Sequence, residues 1–444
     1  MINFTKKLEY HKIEAKRIFY IAFPIIIASV SHLLMGFTDN VMAGRYSSND
    51  LAGVSVGSAI WLPLTLFFMA VLSSTTPLMS VEIGKDGGKS NGTIYKTALI
   101  TAIITGVILF IILHLITIIL KNFLVDNQTF NITRRYLMYV SFAIPGFLVF
   151  QVFRSVFEST GKTSAIMISS FIGMLLNIPL NYIFIYGKLG IPEMGGSGCG
   201  LATSISTYIM VFIIYFIIKK GNLIENGNFS TSEVIKIVKL GLPLGISTFL
   251  EAFIFSFGSI ILAPLGSLVV ASHQIALNFI STIFMIPLSL GVAISVRISH
   301  RYGENKLMLS TIAWKTGLFI VIVISFFLSL LMYLFLDTII SLYTKDQHLI
   351  QLTRPLMILA ISFHIIDAFQ VAANNSLKGY HNTKYPMWVV FFSYWVMALP
   401  LSLIFIYHFN MGAFGFWLSL IVGIIMAAIL LGYKLLKEYN FKNM

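Results

Sequence analysis

Three carboxylates, Asp39, Glu251 and Asp367, lie inside long apolar stretches of this 444-residue sequence. On insertion scales, a charge at the centre of a bilayer costs at least ~2.5–3.5 kcal/mol, so in a membrane each carboxylate would face a cavity or a polar partner and not lipid. We interpret all three as candidate sites for a cation or a proton. For Asp39, a solvated position at the outer membrane boundary is an equal alternative, and for Glu251 the alternative is a structural hydrogen bond to a neighbouring helix.

A polar stripe surrounds Asp367. Spacings of three, three and four residues place His364, Asp367, Gln370 and Asn374 on one side of a helix. A polar stripe on an otherwise apolar membrane helix needs water or polar partners. We interpret it as the wall of a water-reachable cavity, with a polar seam between two helices as the alternative.

Two amides share a helix face in the same way. Asn177 and Asn181 are four residues apart, and Pro179 between them frees a backbone carbonyl on the preceding turn. Amide and carbonyl oxygens are ligands that a sodium ion accepts, but Asn also commonly joins membrane helices by hydrogen bonds. The pattern alone favours the second interpretation. The small residues of Gly195–Gly200 indicate close helix packing.

Composition places these residues in a membrane protein. Hydrophobic residues make up 57% of the chain and charged residues 11%, whereas a soluble domain carries about a quarter charged residues. One cysteine, Cys199, excludes an internal disulfide and a cysteine-based metal site. The net charge of +13 is scattered between apolar runs, which indicates membrane topology and not nucleic-acid binding.

Twelve stretches are long enough to cross a ~30 Å hydrocarbon core as helices, which predicts an all-α integral membrane protein. They cover approximately residues 18–43, 51–82, 93–120, 135–157, 163–186, 197–218, 235–263, 268–300, 308–336, 349–377, 385–408 and 411–434. With a cytosolic N-terminus, 23 of the 30 Lys and Arg residues fall on the cytosolic side, and seven do not. Those seven are Arg45, Lys121, Arg134, Arg135, Lys188, Lys345 and Arg354. This bias predicts that both termini are cytosolic.

The sequence repeats internally. Phe23-Pro24 matches Leu242-Pro243 at an offset of 219, and Pro179–Tyr186 matches Pro400–Tyr407 at an offset of 221. Six spans per half is an even number, so the two halves would share one orientation and be related by an axis along the membrane normal. We therefore predict an N-lobe at residues 1–218, a cytosolic hinge linker at 219–234 and a C-lobe at 235–444.

Several motifs resemble those of one transporter family. The stretches Phe37–Arg45, Leu51–Gly57, Asn177–Gly187 and Gly198–Thr203 follow in order, together with Glu251, Ala271–Ile275 and Asp367–Gly379. They are similar to NorM-type members of the multidrug and toxic compound extrusion (MATE) family over almost the whole chain. The resemblance implies two six-helix lobes around a central cavity, and export of cationic and amphipathic drugs in exchange for sodium ions or protons by alternating access.

The resemblance also implies roles for particular residues. Glu251 and Asp367 match the carboxylates of a C-lobe cation site, where sodium is a possible ligand. Asp39, Asn177 and Asn181 match an N-lobe site, and Thr203 is a weaker match there. The DinF-type branch often has an aspartate where this chain has Asn181, which removes one possible proton carrier and favours the C-lobe carboxylates.

Further expectations follow for ligands and partners. We expect no cofactor beyond the coupling ion, no nucleic-acid partner, and a monomer in the lipid bilayer of a bacterial inner membrane. Rival functions are a lipid-linked oligosaccharide flippase, an integral membrane acyl or glycosyl transferase, and a channel. The predominantly acidic intramembrane residues, the short loops and the lack of a repeated filter loop weigh against these three in turn. The stretch Gly84–Ser90 resembles a P-loop but is one residue short and follows no strand, so we expect no ATP site and no enzyme.

Overall fold

The computed structural model describes residues 4–87, 90–120 and 127–441. Within these ranges, twelve helical segments are long and apolar enough to cross a membrane, which confirms the predicted all-α membrane fold. Gly88 and Lys89 of the P-loop-like stretch lie outside the described residues, as do Lys121 and Lys442, which entered the topology count.

The described residues form sixteen α-helices. These are α1 Phe4–Tyr46, α2 Ser48–Leu72, α3 Thr75–Asp86, α4 Gly92–Ile119, α5 Asn127–Ser141, α6 Ala143–Thr160, α7 Ser164–Tyr186, α8 Gly198–Gly221, α9 Thr231–Leu262, α10 Ser267–Gly303, α11 Leu307–Leu334, α12 Leu336–Tyr343, α13 Gln347–Gly379, α14 Lys384–Val390, α15 Leu399–Leu403 and α16 Gly412–Glu438. The second span joins α2 with α3, and the fourth joins α5 with α6. Helix α12 is short and lies between the ninth and tenth spans.

Local chemistry sets several helix boundaries. Asn91 caps α4 by accepting hydrogen bonds from the backbone of Thr93 and Ile94, and Asp346 caps α13 in the same manner. Gly187 ends α7 in the left-handed conformation, with φ of 63°. The ends of these apolar helices are therefore encoded by neighbouring polar residues and glycine.

The eleventh span is irregular. It contains two π-helical segments, Phe391–Ala398 and Ile404–His408, on either side of α15. Pro400 near the start of α15 has no N–H to donate, which disturbs the regular α-helical ladder. Because π-helical turns occur frequently at functional sites, we expect this span to contribute a side chain to such a site.

The chain divides into two compact units. Unit 1 contains the described residues of Met1–Ala22 and Ile246–Met444, and unit 2 contains Phe23–Gly245. Each unit has its own apolar core: Phe363, Phe416 and Trp417 are central in unit 1, and Leu137 and Val140 in unit 2. The units divide the chain by packing, whereas the predicted lobes divide it by repeat, so the lobe boundaries stay a prediction.

Two helices contribute to both units. Helix α1 changes unit between Ala22 and Phe23, and α9 changes unit between Gly245 and Ile246. Pro24 and Pro243, which match in the sequence repeat, lie within three residues of these points. The two halves of each helix therefore pack with different units: α1 begins in unit 1 and continues in unit 2, and α9 begins in unit 2 and continues in unit 1.

The segment between α8 and α9 is shorter than predicted. Helices extend into the expected 219–234 linker from both sides and leave residues 222–230 between them. Ser90 exchanges backbone hydrogen bonds with this segment, donating to Leu223 at 2.9 Å and accepting from Glu225 at 3.0 Å. These contacts hold the segment against unit 2, so a hinge there would first have to break them.

Candidate functional site

Asp39 lies in a closed polar cluster of unit 2. Its carboxylate is 6% exposed and accepts hydrogen bonds from Asn181 Nδ2 at 2.6 Å and Thr203 Oγ1 at 2.8 Å. Asn181 Nδ2 also donates to Asn177 Oδ1 at 3.0 Å. The structure thus brings all four predicted residues of this site together, and the alternative of a solvated Asp39 is wrong.

The cluster depends on the pairing of α1 with α7. His32, two turns before Asp39 on α1, lies 3.2 Å from Ser170 Oγ, two turns before Asn177 on α7. Residue numbers increase together along the two helices, so these helices run parallel. Seven-residue spacing keeps both pairs on the facing sides, which is why the amides reach the carboxylate.

Two amide atoms of the cluster have no hydrogen-bond partner among the residues that the structure describes. These atoms are Asn177 Nδ2 and Asn181 Oδ1, and both are buried. Buried polar atoms normally have partners, since desolvation without a hydrogen bond costs about 1–3 kcal/mol. Asn181 Oδ1, next to the Asp39 carboxylate, is an oxygen of the type that coordinates sodium.

A second layer around Asp39 was not predicted from the sequence. The buried hydroxyl of Tyr136 accepts a hydrogen bond from Trp61 Nε1 at 3.2 Å and lies 3.1 Å from Ser58 Oγ. Tyr136 is close enough to Asp39 to interact electrostatically. Aromatic residues are common in membrane helices, so the sequence around Tyr136 and Trp61 did not indicate a position near Asp39.

The glycine-rich stretch confirms the packing interpretation. A Cβ on Gly198 would lie 2.9 Å from the Phe184 backbone, and one on Gly200 would lie 2.8 Å from the Tyr136 carbonyl oxygen. Side chains at these positions would separate α8 from α7 and α5. The glycines therefore allow α8 to bring Thr203 within reach of Asp39.

Unit 1 contains the second cluster, formed by α9, α13 and the eleventh span. Gln370 Nε2 donates to Glu251 Oε1 at 3.3 Å, and Asp367 is close enough to Glu251 to interact electrostatically. Both carboxylates are half-buried. Tyr394, a buried residue of the first π-helical segment, lies close enough to interact with both, and sequence reasoning missed it.

The predicted stripe on α13 has two parts. His364 and Gln370 are fully buried, whereas Asp367 and Asn374 are half-buried. Gln370 joins α13 to α9 as a helix seam, while neither ring nitrogen of His364 has a hydrogen-bond partner. The seam interpretation therefore applies to Gln370, and the cavity interpretation stays a prediction for Asp367.

None of the three intramembrane carboxylates forms an ion pair with a basic side chain in the described parts of the chain. Those parts also contain no group of three or more His, Cys, Asp or Glu side chains arranged to hold a metal ion. Asp39 instead accepts hydrogen bonds from neutral side chains, whereas Glu251 and Asp367 lie close to each other.

Two other buried carboxylates are neutralised by arginines. Glu158 accepts hydrogen bonds from Arg154 at 2.6 Å and from Thr76 at 2.9 Å, and Arg297 binds Glu14 at 2.8 Å. From the sequence, these arginines indicated only topology. The ion pairs set these two glutamates apart from the three intramembrane carboxylates.

Comparison with known proteins identifies the family. The MatE family model matches residues 24–183 and 243–404. The chain belongs to the MatE family. The two matched stretches begin and end at the offsets of 219 and 221 that the sequence repeat showed, which confirms the repeat. Family membership and the twelve apolar helical spans together make the chain a multi-pass membrane protein.

Relatives cover nearly the full chain. The probable multidrug resistance protein NorM of Shewanella oneidensis is 36% identical over 441 residues, covering 96% of each sequence. Multidrug resistance protein NorM of Vibrio cholerae is 37% identical over 437 residues, with the same coverage. The crystal structure of the eukaryotic MATE transporter AtDTX14 aligns with a TM-score of 0.87 at 18% identity, covering 97% of both chains. This last likeness shows that the MatE chain has the MATE fold.

Proposed function

We propose that this MatE protein is a secondary active multidrug antiporter, which exports cationic and amphipathic compounds in exchange for sodium ions or protons. The observation that carries the proposal is the chemistry of Asp39, Glu251 and Asp367, three carboxylates within apolar spans that form no ion pair with a basic side chain in the described parts of the chain. The near-full-length relatives are named as multidrug resistance proteins, which supports the same substrate class.

The proposed mechanism is alternating access of two lobes. An ionised carboxylate in a low-dielectric site is costly, and a sodium ion, a proton or a cationic drug relieves that cost. If these ligands exclude one another at a site, entry of the ion releases the drug. A unit charge moving through 100 mV supplies about 2.3 kcal/mol, enough for a concentration ratio of roughly fifty.

The two clusters suit different tasks. Asp39 is enclosed by Asn181 and Thr203, which favours a small ion over a drug. Glu251 and Asp367 are half-buried and next to Tyr394, which leaves room for water or a larger cation. An ion shifts the conformational equilibrium only if it binds the conformational states with different affinities. The ion affinity of at least one cluster must therefore differ between the states.

We place the protein in a bacterial inner membrane with both termini cytosolic. Support comes from the bias in Lys and Arg positions and from the bacterial origin of the two NorM relatives. Labelling of single cysteines introduced at Lys12 and Lys384 in intact cells tests this topology. Reaction of either with a membrane-impermeant maleimide before lysis would contradict it.

Ethidium efflux tests the functional proposal. The variants are Glu251→Gln and Asp367→Asn, with Asp337→Asn as a matched control, because Asp337 lies between two spans, is 72% exposed and pairs with Arg354. Efflux from proteoliposomes is driven by a sodium gradient or a pH gradient imposed separately. We expect both site variants to lose ion-driven efflux and the control to retain it. Unchanged efflux in both site variants would reject the assignment.

A further inference from the structure

Glu14 belongs to a buried charge cluster that shares no residue with the candidate sites. Its side chain is 1% exposed, and its carboxylate accepts hydrogen bonds from two arginines of α10. Arg297 contributes Nε at 2.8 Å and Nη2 at 3.0 Å, and Arg301 contributes Nε at 2.8 Å and Nη2 at 2.7 Å. Paired contacts from planar guanidinium groups fix the geometry as well as the charge.

The surroundings of Glu14 are rich in positive charge. Arg297 and Arg301 are one helical turn apart and both are buried, and the exposed Arg17 is close enough to repel them. Glu304 pairs with the far side of Arg301 at 2.9 Å. Partial burial alone would raise the pKa of Glu304, but hydrogen bonds from Arg301 and Lys306 hold that pKa below its usual value. Removal of the Glu14 charge would leave two buried arginines with little compensation.

The cluster anchors the first half of α1. Glu14, Arg297 and Arg301 all belong to unit 1, and His11 adds a contact of 2.6 Å to Thr316 in the same unit. Beyond Ala22, α1 belongs to unit 2, where it carries Asp39. One helix therefore connects an ion-paired anchor in unit 1 to a carboxylate site in unit 2.

The corresponding half of α9 is held differently. Glu233, which matches Glu14 at the repeat offset of 219, pairs with Lys236 one turn away. In the same half, Ser74 Oγ donates to the Ile237 carbonyl at 3.1 Å, and a Cβ on Gly241 would lie 2.2 Å from the Val71 carbonyl oxygen. Charge thus anchors α1, whereas close backbone packing anchors α9.

We infer that Glu14, together with Arg297 and Arg301, is a positioning residue of the transport cycle, because it fixes the first half of α1 to unit 1 while Asp39 belongs to unit 2. The inference rests on the alternating-access proposal above. A change in arrangement of the units is then transmitted along α1 to the Asp39 cluster. Glu14 acts through α1 and contacts no transported ligand.

Distance measurements between spin labels test the anchor directly. The native cysteine is removed by Cys199→Ala, and pairs of cysteines are introduced for labelling. One pair replaces Lys16 and Lys384, which are both exposed and both in unit 1. The other pair replaces Lys16 and Lys162, and Lys162 is in unit 2. Across sodium-loaded, acidic and substrate-bound samples, we expect the first distance to stay constant and the second to change. A first distance that changes in step with the second would overturn the inference.

Transport by variants tests the functional part. Glu14→Gln is compared with Glu233→Gln, the same change at the repeat-matched position, after reconstitution at equal folded amounts. We expect Glu14→Gln to lower the maximal ethidium efflux rate about tenfold with substrate Kd in detergent within about twofold, since positioning affects the cycle and not the binding contacts. Equal loss of binding and transport, or a rate like that of the control, would each overturn the inference.

A charge swap covers the case in which Glu14→Gln does not fold. The double variant Glu14→Arg with Arg297→Glu again places one glutamate between two arginines, and we expect it to fold and to recover most of the transport rate. A folded swap variant without recovery would contradict the anchor. If Glu251→Gln and Asp367→Asn keep normal ion-driven efflux in the same assay, the proposed function fails. If they lose it while Glu14→Gln is normal, only this inference fails.

Discussion

Replacement of Asn181 by aspartate should change the ion that the Asp39 cluster binds. Asn181 Nδ2 lies 2.6 Å from Asp39 Oδ1, and the donating amide becomes a carboxylate oxygen in Asn181→Asp. The two side chains have nearly the same size, so the cluster should keep its packing. Two carboxylates at hydrogen-bond distance cannot both stay ionised in a buried site.

The repulsion can be estimated from that distance. Two unit charges 2.6 Å apart repel by about 6 kcal/mol at an effective dielectric constant of about 20. Relaxation to a longer distance and the remaining hydrogen bond from Thr203 reduce the value. Even a third of it, about 2 kcal/mol, multiplies proton affinity by roughly thirty. The variant pair should therefore retain a shared proton to a higher pH than the single carboxylate of the wild-type cluster does.

Efflux from proteoliposomes under separate gradients measures the consequence. We expect Asn181→Asp to increase pH-driven ethidium efflux relative to sodium-driven efflux. Asn40→Asp, the same chemical change at an exposed position of α1, serves as the control and should keep the wild-type ratio. If folded Asn181→Asp also keeps that ratio, the geometry of the Asp39 cluster does not determine ion coupling, and the reasoning above is refuted.

Two further changes test packing and the second cluster. Gly241→Ala should destabilise the protein by about 1–3 kcal/mol, because its Cβ would lie 2.2 Å from the Val71 carbonyl oxygen. Gly36→Ala is the control, since its Cβ would have nothing within 4 Å, and it should leave thermal stability unchanged or slightly raised. Equal melting temperatures for both variants would contradict this expectation. Tyr394→Phe removes a hydroxyl that lies close enough to Asp367 to interact electrostatically, so the sodium concentration for half-maximal efflux should rise severalfold with the maximal rate retained. An unchanged sodium dependence would exclude Tyr394 from the site.

Part of the candidate site was predictable because its signal is local. A carboxylate within an apolar span carries a large desolvation cost wherever the helix packs, so Asp39, Glu251 and Asp367 stand out in the sequence. The spacing of Asn177 and Asn181 placed both amides on one face. Pattern alone favoured helix-joining amides, and only the position of α1 relative to α7 showed that Asn181 contacts Asp39 directly.

Other residues had no local signal. Tyr394 is one of 19 tyrosines in the chain, and its place beside Glu251 and Asp367 follows from the course of the irregular eleventh span. Glu14 lies in a basic segment that indicated only topology, and its partner Arg297 is 283 residues away. Both roles depend on which helices become neighbours.

The sequence by itself determined the membrane class, the twelve spans, the internal repeat and the three unusual carboxylates, because hydrophobic length, periodicity and the cost of a buried charge are properties of each segment. The tertiary structure alone decided that Thr203, 164 residues from Asp39, donates to its carboxylate. It also decided that the first halves of α1 and α9 pack with a different unit from their second halves. These facts depend on the rotation and neighbours of whole helices, which the apolar composition of a membrane span leaves open.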